Sequence, residues 1–182
     1  HRSMMSSRVV VSSSEMLTLS ALETDAPPPL EEPVDAAALL ADIRHEADAL
    51  SKGRHRILLE NHGPRGLLGS ARELRSAFAN LAGNAVRYTP AGGRIDVSCG
   101  SADGRAWLEV TDNGPGIPAA ERERVFDRFY RRSEQDAAGS GLGLAIVRAI
   151  ADKHRATIQL TDAPGGGLRV RVEFPQAGKG AP

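Results

Sequence analysis

Two asparagine side chains, Asn80 and Asn84, lie four residues apart in a segment with helical periodicity. At this spacing both side chains project from one face of a helix, where their neutral amide oxygens can bind a hard cation. Mg²⁺ keeps water and phosphate oxygens in its shell, so one or two amide ligands suffice. Asparagine is a poor helix former, and two within one turn therefore indicate a use. A solvated helix face is the alternative for this pair taken alone, and Arg87 on the same face would balance phosphate charge.

Two glycine-rich loops follow this pair, Asp-Asn-Gly-Pro-Gly at 112–116 and Gly-Ser-Gly-Leu-Gly-Leu at 139–144. Glycine lets the backbone approach a ligand closely, and the second loop opens an apolar helix whose N-terminal N–H groups attract phosphate. The glycine spacing does not match the dinucleotide fingerprint, and a P-loop Gly-Lys-Ser/Thr is absent. A flexible linker is the alternative for the second loop. In this order, the loops and the asparagine pair predict one pocket for ATP and Mg²⁺.

Asp112 ends a predicted strand at the first of these loops. A carboxylate beside backbone without side chains can accept a hydrogen bond from an exocyclic amine such as that of adenine. The alternative is a plain Asp-Asn-Gly hairpin turn, which is a common signal. That alternative is weakened because Ile117-Pro118 and a helical pattern come next, and no partner strand follows at two-residue spacing.

Between the two glycine loops lies an aromatic and basic segment, 126–132, followed by small and polar residues up to 139. Long loops of this kind are often functional, and the segment predicts a movable lid anchored by Phe126 and Phe129. Arg131 or Arg132 would reach a terminal phosphate when the lid closes. Packing of the two phenylalanines in the core is compatible with this role.

The composition excludes several classes of function. The 23 Lys and Arg balance 23 Asp and Glu, so no basic field predicts binding to nucleic acid or to an anionic membrane. The single cysteine, Cys99, excludes an intrachain disulfide, and its alternation with apolar neighbours predicts burial in a strand. The five histidines are dispersed without metal-ligand spacing. No stretch approaches the roughly 20 apolar residues that a membrane span needs.

The periodicity predicts a helix over 4–23, a stiff proline-rich linker over 24–33, one compact domain over 34–175 and an unstructured tail over 176–182. Within the domain we expect helices at 35–50, 70–88 and 142–154, a short helical pattern at 119–126, and strands at 57–60, 94–99, 106–111, 156–161 and 168–174. A further short strand is possible at 67–68. On helix 70–88 the core face consists of Leu74, Phe78, Leu81 and Ala85, and Glu73 is expected beside the asparagine row.

Four motifs in succession carry a resemblance to a known family: Asn80-xxx-Asn84 with Arg87-Tyr88-Thr89, Asp112-x-Gly-x-Gly116, Phe126-xx-Phe129-Tyr-Arg, and Gly139-Ser-Gly-Leu-Gly-Leu144. They resemble the nucleotide boxes of bacterial sensor histidine kinases, over about residues 31–175. Residues 17–23 resemble the end of the second helix of that family's dimerisation and phosphotransfer hairpin. The resemblance implies an α/β two-layer sandwich (the Bergerat fold), with a mixed, mostly antiparallel sheet covered on one face by three helices and preceded by an N-terminal helix.

The resemblance also assigns roles to residues. Asn84 would be the Mg²⁺ ligand, Asn80 would lie close to metal and phosphates, and Arg87 and Arg131 would contact phosphate oxygens. Asp112 would recognise adenine. The remaining residues expected to contact the nucleotide are Tyr88, Gly114, Gly116, Ile117, Phe126, Gly139, Ser140, Gly141, Leu142, Gly143 and Leu144.

The implied activity is donation of the γ-phosphate of ATP to a histidine on a separate hairpin, for relay to a response regulator. The family's phosphoacceptor segment, a His followed by an acidic residue and Arg-Thr-Pro, is absent, so the chain alone is not expected to autophosphorylate. It would be the cytoplasmic domain of a sensor anchored in the inner membrane. Two alternatives stay open: an ATP-hydrolysing machine of the same fold, which keeps a Glu where Asn80 stands, and a non-catalytic nucleotide-binding module.

Overall fold

The computed structural model describes residues 13–23, 31–63, 66–130 and 141–176. In chain order the elements are α1 (Ser13–Glu23), β1 (Glu32–Pro33), α2 (Ala36–Ser51), β2 (Arg56–Asn61), β3 (Leu68–Gly69), α3 (Ala71–Tyr88), β4 (Arg94–Ala102), β5 (Arg105–Asp112), α4 (Gly143–Lys153), β6 (Thr157–Asp162) and β7 (Leu168–Glu173). Single 3-10 turns lie at Ala119–Glu121 and Arg124–Phe126. Among the described ranges, no helix has the length and apolar character that crossing a membrane requires.

Five strands form one sheet in the order β2-β4-β5-β7-β6, in which β2 and β4 are parallel and the other pairs antiparallel. Alternate residues point to one buried face, as period-2 patterning requires, and Ile95, Val97 and Cys99 on β4 are fully enclosed. β4 and β5 are joined through Asp103 and Gly104, both with positive φ (52° and 75°), as a two-residue type I′ hairpin needs. The predicted sheet type and the burial of Cys99 are confirmed.

The helices α2, α3 and α4 pack on the buried face of the sheet, with α3 between the other two. On α3 the predicted core stripe is confirmed, because Leu74, Phe78, Leu81 and Ala85 are all buried. Ser70 begins the helix: its Oγ accepts a hydrogen bond of 3.2 Å from the N–H of Glu73. α1 lies against α4 and buries Leu19 there. The two-layer sandwich with a preceding helix is therefore confirmed.

Some boundaries differ from the expected ones. The described part of the first helix begins at Ser13, and residues 4–12 lie outside the described residues, as do 177–182 of the expected tail. The helical pattern at 119–126 forms two separate 3-10 turns, because so short a segment without a side-chain cap does not sustain an α-helix. The last residues of the predicted linker, Glu32 and Pro33, pair antiparallel with β3. The short strand expected at 67–68 therefore forms, one residue later, at Leu68–Gly69.

Glu73 lies on the same face of α3 as the asparagines, as expected, but it is bound to another helix. Its Oε1 accepts a 2.7 Å hydrogen bond from Lys153 Nζ, which joins the start of α3 to the end of α4. Along the helix axis, about two turns separate Glu73 from Asn80. The ion pair is largely buried, and it fixes the antiparallel packing of the two helices that carry most of the site.

Replacing Lys153 with Met is expected to lower the free energy of unfolding by about 2 kcal/mol, the usual worth of a hydrogen bond to a charged group. Glu73 Oε1 would lose its partner, and Oε2 is already buried with no hydrogen-bond partner among the described residues. Urea unfolding followed by circular dichroism measures the change. The double variant Glu73→Leu with Lys153→Met removes the stranded carboxylate and should regain stability; a further loss would contradict this account.

Candidate nucleotide-binding site

The asparagine pair lies at the edge of the helical layer, where α3 meets the start of α4. Asn80 Nδ2 donates a 2.8 Å hydrogen bond to the carbonyl of Ser76, which directs Asn80 Oδ1 towards α4. A Cβ added at Gly143 would stand 3.1 Å from Asn80 Oδ1 and 3.8 Å from Asn84 Oδ1. The two amide oxygens therefore converge on the first turn of α4, where a side chain in place of Gly143 would crowd Asn80.

The first turn of α4 presents its backbone N–H groups to the same place. Its N-cap residue, Leu142, is fully buried and offers no side-chain acceptor to the N–H groups of this turn, and a helix N-terminus of this kind suits an anion. Gly141 has a φ of 73°, and a Cβ there would stand 2.7 Å from Phe129 Cα. The N–H of Phe129 donates to the Gly141 carbonyl at 2.9 Å. The glycines thus allow close contact between the aromatic segment and the start of the helix.

A cavity of about 580 Å³ opens in front of these groups, within the usual range of roughly 300–1,000 Å³ for ligand sites. We call it the outer cavity. Its lining consists of Glu15, Glu46, Leu50, Arg72, Arg75, Ser76, Ala79, Asn80, Gly83, Asn84, Arg87, Tyr88, Val125, Tyr130, Gly141, Gly143 and Leu144. Amide oxygens, three arginines and a helix N-terminus together suit a polyphosphate with a cation.

A smaller space of about 90 Å³, the inner pocket, adjoins the outer cavity and shares five of its lining residues. Its lining consists of Leu81, Asn84, Ala85, Tyr88, Val110, Asp112, Pro115, Gly116, Ile117, Val125, Tyr130, Leu144, Leu160, Leu168 and Val170. Aliphatic side chains from α3 and the sheet form most of these walls, with the carboxyl group of Asp112 among them. A mostly apolar slot with a carboxyl group in its wall suits a flat heterocyclic base.

The backbone around it fixes the carboxyl group of Asp112. Its Oδ1 accepts hydrogen bonds from the N–H groups of Gly114, at 2.9 Å, and Leu168, at 3.4 Å. Burial raises the pKa of Asp112, and these two bonds partly oppose the rise. A Cβ at Gly167 would overlap the Asp112 carbonyl oxygen, and one at Gly116 would press on the Gly167 carbonyl. The two glycines are therefore needed for the turn that holds the carboxylate.

Replacing Asp112 with Asn is expected to raise the midpoint of thermal unfolding at neutral pH. Because folding raises the pKa of Asp112, the ionised carboxylate destabilises the fold, and that cost fades as the pH falls through the raised pKa. Asn keeps an oxygen acceptor for both backbone N–H groups. The midpoint difference between the variant and the unmodified chain, measured by calorimetry without nucleotide, should shrink towards acid pH. A difference that does not change with pH would contradict the assignment.

The structure brings most of the predicted site residues together. Asn80, Arg87, Gly141 and Gly143 line the outer cavity, Gly116 and Ile117 line the inner pocket, and Asn84, Tyr88 and Leu144 line both. Arg87 also donates a long hydrogen bond, 3.4 Å, to Asn84 Oδ1. Gly114 acts through its N–H on Asp112, and Leu142 is buried beneath the helix start. Arg131, Gly139 and Ser140 lie outside the described residues.

Phe126 lines neither of the two cavities. Its ring lies under the guanidinium of Arg148, 4.5 Å away, in a groove on the α4 side of the molecule that Leu22 also lines. Val125, the preceding residue, lines both cavities instead. Neighbouring side chains in a 3-10 turn point in directions about 120° apart, so Val125 faces the cavities while Phe126 faces α4.

Several lining residues escaped the sequence-based prediction. Arg72 lies within the predicted helix, next to the face that carries Asn80 and Arg87, so the helical projection could have included it. Tyr130 belongs to the aromatic segment between the glycine loops, and its ring lies 5.4 Å from the Arg124 guanidinium. Glu46 and Leu50 on α2 lacked a local signal, because their role depends on how α2 packs against α3.

The sequence is similar to those of known signalling proteins. A family model described as histidine kinase-, DNA gyrase B-, and HSP90-like ATPase matches residues 69–178. The phosphate regulon sensor protein PhoR of Pseudomonas aeruginosa is 42% identical over 167 residues, which cover 90% of this chain and 38% of PhoR. The sensor protein kinase PmrB of the same organism is 35% identical over 164 residues, covering 89% of this chain and 34% of PmrB. The chain thus spans less than half the length of these relatives.

Solved structures give the same picture. A mycobacterial sensor histidine kinase MprB matches with a TM-score of 0.71 and 32% identity, over 80% of this chain and 97% of that one. Full-length ShkA in complex with AMPPNP matches with a TM-score of 0.75 and 29% identity, over 92% of this chain and 36% of that one. A nucleotide-free catalytic domain of the histidine kinase ThkA, at 22% identity and a TM-score of 0.68, is similar in fold.

Proposed function

Because the chain belongs to the histidine kinase-, DNA gyrase B-, and HSP90-like ATPase family, as an ATPase domain homologous to the catalytic domains of sensor histidine kinases, we propose that it binds Mg-ATP and donates the γ-phosphate to a histidine. The resemblance inferred from the four motifs is confirmed at the level of the family. The acceptor histidine would lie on a helical hairpin outside this chain. The observation that carries the proposal is the convergence of both asparagine oxygens on the start of α4.

The phosphate end of the nucleotide would lie in the outer cavity. The N–H groups at the start of α4 would bind phosphate oxygens, and Arg87 would neutralise part of their charge. Asn84 and Asn80 fit a magnesium ion held with the triphosphate, since both present neutral amide oxygens towards the same place at the start of α4. Magnesium would supply further charge neutralisation at the transferring phosphoryl group. The chain's own contribution would be positioning of the γ-phosphate for in-line attack, with Arg131 as a further phosphate contact.

The base end of the nucleotide would lie in the inner pocket. The ionised carboxyl group of Asp112 would accept a hydrogen bond from the exocyclic amine of adenine. The same position in guanine carries an oxygen, which would face a carboxylate with no proton to share. Ile117, Gly116 and Tyr88 would enclose the ring, so adenine is expected to be preferred over guanine.

The hydrolytic alternative requires a carboxylate that activates water. Related machines keep a Glu at the position of Asn80, whose amide here is bound to the Ser76 carbonyl and cannot act as a base. The isolated chain should therefore bind Mg-ATP tightly and turn it over only slowly, as coupled phosphate release would measure. Rapid steady hydrolysis that Asn80→Ala abolishes would contradict the kinase proposal and favour the hydrolytic one.

The proposed partners follow from the phosphotransfer role. They are the dimerisation and phosphotransfer hairpin of the same kinase and, after the transfer, a response regulator. Nucleic acid and membrane contact are not part of the proposal, since the formal charges of the chain balance. The proposed location is the cytoplasmic side of a sensor anchored in the inner membrane.

A further inference from the structure

The loop that follows α2 carries a histidine, His55, that is tied to two helices at once. Its Nε2–H donates a 2.7 Å hydrogen bond to the carbonyl of Thr89, the residue that ends α3. Its Nδ1 lies 2.9 Å from the hydroxyl of Ser51, the last residue of α2, and the same hydroxyl accepts from the His55 N–H. The imidazole therefore bridges the C-terminal ends of α2 and α3.

The backbone around His55 reinforces this bridge. The N–H of Gly92 donates to the Arg54 carbonyl at 2.6 Å, and the N–H of Arg56 donates to the Gly93 carbonyl at 2.9 Å. Ser51 and Thr89 are both buried, so the hydrogen bonds of His55 are shielded from competing water. The loop at 52–56 and the loop at 89–93 thus form one fixed unit beside the end of α3.

This unit lies against the turn that holds Asp112. A Cβ placed on Gly114 would stand 3.2 Å from the Tyr88 carbonyl oxygen, 3.3 Å from Thr89 Oγ1 and 3.1 Å from Asp112 Oδ1. Gly114 is also the residue whose N–H donates to that carboxylate. The contacts therefore run from His55 to Thr89, from Thr89 to Gly114, and from Gly114 to Asp112, while Tyr88 is the immediate neighbour of Thr89.

We propose that His55 is a positioning residue of the nucleotide site: acting through Thr89, it holds Tyr88 and the Asp112 turn in the geometry that binds the base. The inference rests on the proposed function. His55 touches neither cavity, so it would act on the base end alone and leave the phosphate end around Asn84 unchanged. When a hydrogen-bonding group of a site is displaced, the site binds its ligand more weakly even though the fold is intact.

The test compares His55→Ala with His55→Gln, whose side-chain N–H can still donate to the Thr89 carbonyl. Calorimetry is done with ATP, ADP and GTP well below each variant's own unfolding midpoint, which is measured separately. His55→Ala should weaken ATP and ADP by the same factor, about five-fold, and reduce the preference for ATP over GTP. His55→Gln should restore both. His62→Ala is the matched control, because His62 is exposed and paired only with Glu60 among the described contacts of its ring nitrogens.

Unchanged nucleotide affinities in a folded His55→Ala variant would overturn the proposal. It would also be overturned if His55→Gln has the unfolding midpoint of the unmodified chain but binds nucleotides as weakly as His55→Ala. If His55→Ala does not fold, Ser51→Ala replaces it, since that change keeps the imidazole and removes the hydroxyl that orients it; unchanged affinity there would also overturn it. An unmodified chain that binds no adenine nucleotide would refute the proposed function instead, so the two failures are distinguishable.

Discussion

Asp112→Ala is expected to weaken ATP binding by about a hundredfold, the loss of a hydrogen bond to a charged group in a desolvated pocket. The same change should remove most of the preference for ATP over GTP, because guanine no longer faces a carboxylate. Both effects follow from the position of Asp112 in the wall of the inner pocket, where two backbone N–H groups and Gly167 fix its carboxyl group. Isothermal titration calorimetry with both nucleotides measures the affinities.

The control for this experiment is Asp48→Ala, which removes an exposed carboxylate on α2 paired with Arg44. That variant should bind both nucleotides like the unmodified chain, since surface ion pairs contribute little. Equal affinities for ATP and GTP in the unmodified chain would contradict the role of Asp112. So would an Asp112→Ala variant that is folded and still prefers ATP.

Asn84→Ala is expected to remove the dependence of ATP binding on Mg²⁺ and to slow phosphoryl transfer by about a hundredfold or more, as loss of one preorganised group at a transferring phosphate does. Asn84 lines both cavities, and its Oδ1 points at the first turn of α4 beside Asn80. Calorimetry with and without EDTA measures the first effect, and the initial rate of transfer measures the second.

Gln159→Ala serves as the control for Asn84→Ala, because Gln159 is an exposed amide on the edge strand β6. It should leave both the Mg²⁺ effect and the transfer rate as they are. If ATP binding to Asn84→Ala strengthens with Mg²⁺ as much as binding to the unmodified chain does, Asn84 is not a ligand of the ion.

The sequence sufficed to predict the features that depend on local periodicity. On α3 the 3.6-residue period separated the buried stripe of Leu74 and Phe78 from the asparagine face, and both are observed as predicted. On the strands, period-2 alternation predicted the buried side, including Cys99. These features could be predicted because each depends on neighbours a few residues away, which the helix and strand geometries place without knowledge of the rest of the fold.

The features that the sequence did not predict depend on distant partners. Glu73 lies on the asparagine face of α3 by its angle, but Lys153, eighty positions along the chain, binds it at the far end of the helix. Phe126 was expected at the nucleotide from the family resemblance, whereas its ring packs under the guanidinium of Arg148 on α4, a contact that forms only in the folded domain. The bridge made by His55 lacks any local pattern, since its partners belong to two helices that meet only in the folded domain.

The most direct test of the central claim is phosphoryl transfer between two separately prepared proteins. The unmodified chain is incubated with Mg-ATP labelled at the γ-phosphate and with a separately prepared dimerisation and phosphotransfer hairpin of the same kinase. We predict acid-labile, alkali-stable label on the hairpin, absent when its acceptor histidine is replaced by Gln and strongly reduced with Asn84→Ala. Tight ATP binding by the chain without phosphohistidine on an intact hairpin would contradict the claim.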